Sequence, residues 1–182
     1  MRSVASPGER DRKVLSDRAA KLRAVPAASR DEVESVHALR FLLDEESYAV
    51  ENGFVREVAP LPLVTPLPCV PPFVRGIINL RGTIVPLFDL RSILGLPEAR
   101  PGRRASVMLL QSPENEFGLL VDEILGIAEI PASSFQGPPP AIDGAGAEYL
   151  KGITVGGLAL IDAGKLLADK RLVVDETVGS RG

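Results

Sequence analysis

At 182 residues, 45% of them hydrophobic, the chain is long enough to bury the core of one domain and to carry an extension. A net charge of −3 with scattered basic residues, 4% aromatics and no tryptophan argue against an electrostatic footprint or a stacking platform for nucleic acid. The one cysteine, Cys69, rules out an intrachain disulfide and a zinc cluster, and no apolar run reaches membrane-spanning length, so no direct membrane insertion is expected.

Residues 1–35 are charged and Ala-rich, and read as an extension to a domain covering 36–178. Ser6-Pro7-Gly8-Glu9 is a helix start, with Ser6 as N-cap and Glu9 closing a capping box. Val14, Leu15, Ala19 and Leu22 recur at helical spacing until Pro26, which predicts a short amphipathic helix. Glu9, Asp11 and Asp17 stand where a signal peptide would carry its apolar core, so the expected location is the cytoplasm.

From Leu39 the pattern changes to short strands divided by turns. Leu39, Phe41 and Leu43 form one strand face, and Asp44-Glu45-Glu46-Ser47 turns into Tyr48-Ala49-Val50. Val55-Arg56-Glu57-Val58 is followed by a connector stiffened by Pro60, Pro62, Pro66, Pro68, Pro71 and Pro72. Phe73 to Arg91 then reads as a hairpin. Val74, Gly76, Ile78 and Leu80 share one face of its first arm, and Ile84, Pro86 and Phe88 alternate with Val85, Leu87 and Asp89 in the second. Asn79-Leu80-Arg81-Gly82 supplies the turn and sets the planar, five-donor cation of Arg81 at its tip. Ile77, Val85 and Leu87 are expected opposite the barrel core, where they would face the second half of the domain or a partner.

Arg91-Ser92-Ile93-Leu94 suits one helical turn stopped by Gly95, and the Pro- and Gly-bearing loop 96–106 is the expected seam between two halves. Val107-Met108-Leu109-Leu110 and Phe117-Gly118-Leu119-Leu120-Val121 flank a turn at Pro113-Glu114-Asn115 as a second hairpin. The stretch 136–146 is irregular, Val155-Gly156-Gly157-Leu158 is a tight turn, and 164–167 begins a short terminal helix. The strand count favours two small barrels over one open sheet.

Sites for chemistry are weak. His37 and Cys69 have no third, orienting group beside them. Asp89 and Asp122 each end an apolar strand; a glycosidase-like pair is conceivable, but such residues more often cap the next turn. Gly152-Ile153-Thr154-Val155-Gly156-Gly157 lacks the Lys-Ser/Thr end of a phosphate loop and suits a hairpin turn better. No catalytic residue, metal site or cofactor is expected.

The stretch Phe73 to Arg91 closely resembles the signature of the CheW-type coupling proteins of bacterial chemotaxis, roughly F-V-x-G-I-I-N-L-R-G-x-I-V-P-x-x-D-L-R. Tyr48-Ala49-Val50 with Val55 to Val58, the run Phe117 to Gly126, and Tyr149 to Asp162 resemble further blocks of that family, in its order. Gly53 and Phe54 depart from the aliphatic pair usual there. The resemblance implies a mostly β fold of two five-stranded SH3-like barrels packed around a shared apolar seam. It further implies a non-enzymatic adaptor that couples chemoreceptors to a CheA-type histidine kinase. Val55, Glu57 and Arg81 are then the candidate kinase-binding residues, and Val107 and Met108 the candidates for a groove taking the cytoplasmic tip of a receptor. The same fold serving another receptor–kinase pathway, such as gliding or twitching motility, is the alternative, and a small enzyme is the rival from another class.

Overall fold

A computed structural model describes residues 34–98, 105–137 and 146–172. The helix expected at 6–26 lies outside them. Among the described residues, twelve strands form two six-stranded sheets. The chain enters one sheet through β1 (Ser35–Leu43) and β2 (Glu46–Glu51). It then builds the other sheet from β3 (Val55–Pro60), β4 (Val64–Thr65), β5 (Val74–Leu80), β6 (Thr83–Asp89), β7 (Ser106–Gln111) and β8 (Glu116–Val121). It returns to the first with β9 (Glu123–Pro131), β10 (Phe135–Gln136), β11 (Leu150–Thr154) and β12 (Ala159–Ile161). Two short helices, α1 (Leu90–Leu94) and α2 (Ala163–Ala168), follow β6 and β12.

Chain connectivity forces each sheet to roll up. The second sheet runs β3-β7-β8-β6-β5-β4, yet its outer strands β3 and β4 are joined by residues 61–63 alone. Four Cα steps reach about 14 Å, whereas five strand spacings across a flat sheet would be about 24 Å. Only a curled sheet brings the two edges that close. The first sheet has the same property, its outer strands β9 and β10 being joined by the 3-10 turn Ala132–Ser134. Its order, β9-β1-β2-β12-β11-β10, repeats the second strand for strand, including one parallel step (β2 beside β12, β8 beside β6). The sixth strand of each, β4 or β10, spans two residues; the five longer strands make up the five-stranded barrel that the family resemblance implied.

The loop 96–106 has β6 and β7 of one sheet on its two sides, and its residues 99–104 lie outside the described ones. The chain crosses between barrels at the 3-10 turn Asn52–Phe54 and at Asp122.

Both of these helices start on an aspartate. Asp89 accepts the Arg91 N–H at 3.0 Å to cap α1, and Asp162 accepts the Lys165 N–H at 3.0 Å to cap α2. Gly95, at φ 72°, stops α1 as the sequence indicates.

Three apolar cores result. Leu39, Phe41, Leu43 and Val50 of one barrel pack with Phe88, Met108, Phe117 and Leu119 of the other, in the shared seam. Phe88 meets Phe117 edge-on, with ring centroids 5.0 Å apart. Ala38, Ala49, Ile130 and Leu160 fill the first barrel, and Ile78, Val85, Leu87, Val107, Leu109 and Leu120 fill the second. The expected facing of β6 is therefore reversed: Val85 and Leu87 point into their own barrel, while Ile84 is exposed. A strand covered on both sides carries apolar residues on both faces, so alternation alone cannot say which face is inside.

Candidate partner-binding site

The β5–β6 hairpin turns tightly. Leu80 pairs with Thr83, leaving Arg81 and Gly82 as a two-residue loop at φ 50° and 91°. Positive φ at both positions defines a type I′ turn, which usually takes Asn or Gly. Asn79 Oδ1 accepts the Gly82 N–H at 2.8 Å and braces it. Arginine here costs about 1–2 kcal/mol of backbone strain relative to an ordinary conformation. Its side chain is 87% exposed, so burial does not repay that strain.

The guanidinium reaches sideways instead. Arg81 Nη2 lies 3.4 Å from Glu57 Oε2 on β3. Glu57 reaches the tip because β3 and the hairpin arm β5 stand near the two meeting edges of the rolled sheet. The two residues line a small cavity of about 210 Å³ with Arg56, Leu80 and Leu109. Ile84, 63% exposed, adds an apolar contact surface beside the tip. Val55 lies across a bulge from Glu57 and packs, half-buried, against the shared core. The structure thus brings Glu57 and Arg81 together and sets Val55 behind them.

A larger groove opens between the barrels. It measures about 890 Å³ and is lined by Leu42, Val58, Ala59, Pro60 and Ile124 among apolar residues, with Asp44, Glu45, Asp122 and Glu123 as carboxylates. Val107 and Met108, the sequence candidates for such a groove, do not line it. They are 1% and 0% exposed and belong to the barrel core and the seam. Ser106, one residue earlier, is the β7 residue on the groove. Period-two patterning marked β7 as a strand but could not reveal that it lies centrally between β3 and β8, covered on both faces.

Beneath the groove, Arg91 is 2% exposed and its guanidinium pairs with Asp122, which also accepts the Asp44 backbone N–H at 2.7 Å. Neighbouring Tyr48 donates its hydroxyl to Glu46 at 2.6 Å; burial, then that carboxylate, push the phenol well above its usual range. Nothing in the sequence marks Arg91 as buried, since it follows a capping aspartate at a helix start.

The residues weighed for catalysis have other places. His37 lies exposed within β1, and Cys69 is exposed in the proline-rich connector. Asp89 caps α1 and stands 4.0 Å from Arg75, and Asp122 holds Arg91. Among the described residues no group of His, Cys, Asp and Glu is placed to hold a metal ion, and no helix is long and apolar enough to cross a membrane.

Comparison with known proteins bears on this arrangement directly. The family model for the CheW-like domain matches residues 37–171. The chain belongs to the CheW-like family. It is 33% identical over 157 residues to the chemotaxis protein CheW of Treponema pallidum, covering 82% of this chain and 91% of that one. Protein FrzA of Myxococcus xanthus is 34% identical over 131 residues, with 72% and 79% covered. Among solved structures, the scaffolding protein TtCheW from Thermoanaerobacter tengcongensis superposes with a TM-score of 0.61 at 29% identity, covering 70% of this chain and 89% of that one. The two-barrel CheW-like architecture read from the sequence is the one observed.

Proposed function

We propose that this CheW-like chain is a cytoplasmic chemotaxis adaptor that couples chemoreceptors to a CheA-type histidine kinase. The observation that carries the proposal is the Arg81–Glu57 pair. A long cation is held on a strained, exposed turn and steadied by a carboxylate 3.4 Å away, an arrangement that contributes little to the fold. Strain kept at an exposed position marks a residue retained for a partner, and arginine is enriched at interface hot spots. The kinase's regulatory domain docks on this barrel end, against Arg81, Glu57 and the apolar surface of Ile84, with Val55 supporting β3 from behind.

The groove between the barrels takes the receptor's cytoplasmic tip. Its apolar lining residues Leu42, Val58, Ala59, Pro60 and Ile124 suit the apolar face of a helix, as in helix-in-groove recognition. Binding both partners at separate surfaces lets receptor conformation bias the kinase and places the chain in receptor arrays at the inner face of the membrane. No chemistry of its own is required. The purified chain therefore transfers no phosphate and holds no stoichiometric metal.

A ternary reconstitution tests this reading. The purified chain, a receptor-tip fragment and the kinase regulatory domain should form one complex in analytical ultracentrifugation. Failure of the chain to bind either partner alone would overturn the proposal. Because FrzA is also a close relative, recruitment of the kinase from the native cytoplasm, followed by its identification, assigns the pathway.

A further inference from the structure

We propose that the buried Arg91–Asp122 pair shapes the inter-barrel groove by tethering its acidic turn, and that the fold does not depend on it; this rests on reading the groove as the receptor site. Arg91 heads the fully buried side chains by volume, yet its Nη1 has no hydrogen-bond partner among the described residues. A charge stands in the seam incompletely satisfied, where Phe41, Phe88 and Phe117 already supply apolar packing. Apolar side chains of similar volume at both positions would fill the space as well, since such replacements of buried pairs are often neutral or stabilising.

What apolar residues cannot supply is direction. One oxygen, Asp122 Oδ2, takes both the Arg91 Nη2 and the backbone N–H of Asp44, the latter at 2.7 Å. Arg91 opens the helix of one barrel, Asp122 is the joint between the barrels, and Asp44 sits in the β1–β2 turn of the other. Asp44 has φ 58°, a left-handed conformation that aspartate tolerates in turns, and the contact from its N–H to Asp122 fixes where that turn stands. Asp44 and Asp122 both line the groove. The tether therefore sets how the β1–β2 turn stands over the groove, and Arg91 acts as a positioning residue through Asp122.

The test compares two double variants. Arg91→Met with Asp122→Leu removes both the charge pair and the acceptor; Arg91→Met with Asp122→Asn leaves an amide oxygen for the Asp44 N–H. The first should melt cooperatively at or above the wild-type temperature. Its Asp44 amide should exchange with solvent at least about tenfold faster, and its affinity for a receptor-tip fragment should fall about tenfold or more. Kinase-domain binding at the Arg81 end should stay within about twofold, because neither Arg81 nor Glu57 lines the groove or pairs with Arg91. The second variant should keep receptor binding within about threefold and Asp44 protection near wild type. Loss of cooperative melting in the first variant would overturn the proposal, because the pair would then be needed by the fold. Unchanged Asp44 exchange and unchanged fragment binding would overturn it equally. If wild type itself does not bind the fragment while the first variant alone frees the Asp44 amide, the receptor reading of the groove fails and the tether stands.

Discussion

On the proposed reading, Arg81 separates stability from function at a single position. Its ion pair with Glu57 is exposed and worth about 0–1 kcal/mol, while its positive φ is unfavourable for any residue with a Cβ. Arg81→Ala should melt within a degree or two of wild type, and Arg81→Gly should melt slightly higher, by about 0.5–1 kcal/mol. Both should weaken kinase-domain binding more than tenfold, and Arg81→Lys should rescue poorly because an ammonium lacks the planar fork. Titration calorimetry beside thermal melts checks this; kinase binding by folded Arg81→Ala equal to wild type would remove the hairpin tip as docking site. Gly76 shows the opposite behaviour. It has φ 135°, and a Cβ there would stand 2.2 Å from the Thr65 carbonyl oxygen, so β4 could not lie beside β5. Gly76→Ala should cost at least about 2 kcal/mol, seen as a fall in melting temperature of about 5 °C or more. The glycine stands at the register shift between Val74 and Gly76, and the sequence placed it on β5. The backbone it admits was not legible there, because β4 comes from the proline-rich connector.

Among the elements, the segment after α2 is held by a polar clasp. The Tyr149 hydroxyl donates to Asp169, and Arg171 Nη2 bonds the Tyr149 oxygen at 2.6 Å, Asp169 Oδ2 at 2.6 Å and Glu148 Oε1 at 2.7 Å. Leu172 follows directly and is buried in the shared core. The Arg171 hydrogen bond, outweighing partial desolvation, holds the Asp169 carboxyl well below the usual carboxylate range. A carboxylate whose pKa is depressed in the folded state contributes stability above its unfolded pKa and loses it as pH falls through the folded value. Wild-type stability should therefore decline below about pH 4 more steeply than that of Asp169→Asn, which has no proton to gain. Urea midpoints at pH 7, 4 and 3 measure the difference; parallel slopes for the two proteins would show that the clasp does not couple to folding. The start of α1 was readable in advance, because capping by Asp89 is local; Asp162 was not singled out as the cap of α2, and Asp122, expected to cap a turn, holds Arg91 instead. The clasp was not readable, since its members are drawn together only when α2 folds back onto the 3-10 turn before β11.

For the whole molecule, the described cores begin at Val36 and close on Leu172. Deleting residues 1–30 should leave a cooperative melt within a degree or two of the full chain, because the strands and their cores lie C-terminal to the cut. Non-cooperative melting of the shortened chain would show that the extension completes the domain. The sequence by itself determined the family, the strand character of β1 to β3, of β5 to β8 and of the closing hairpin, and the turn that carries Arg81, because these rest on local periodicity, turn chemistry and a long unbroken motif; β4, β9 and β10 and the meeting of Arg81 with Glu57 were not among them. Only the tertiary structure decided which face of β6 points inward, that Val107 and Met108 are buried, that Arg91 lies in the seam, and where the barrels exchange strands. Those outcomes depend on which strands become neighbours when β1 and β2 return to meet β9 to β12, and strand order is a property of long-range pairing that a period of two does not encode.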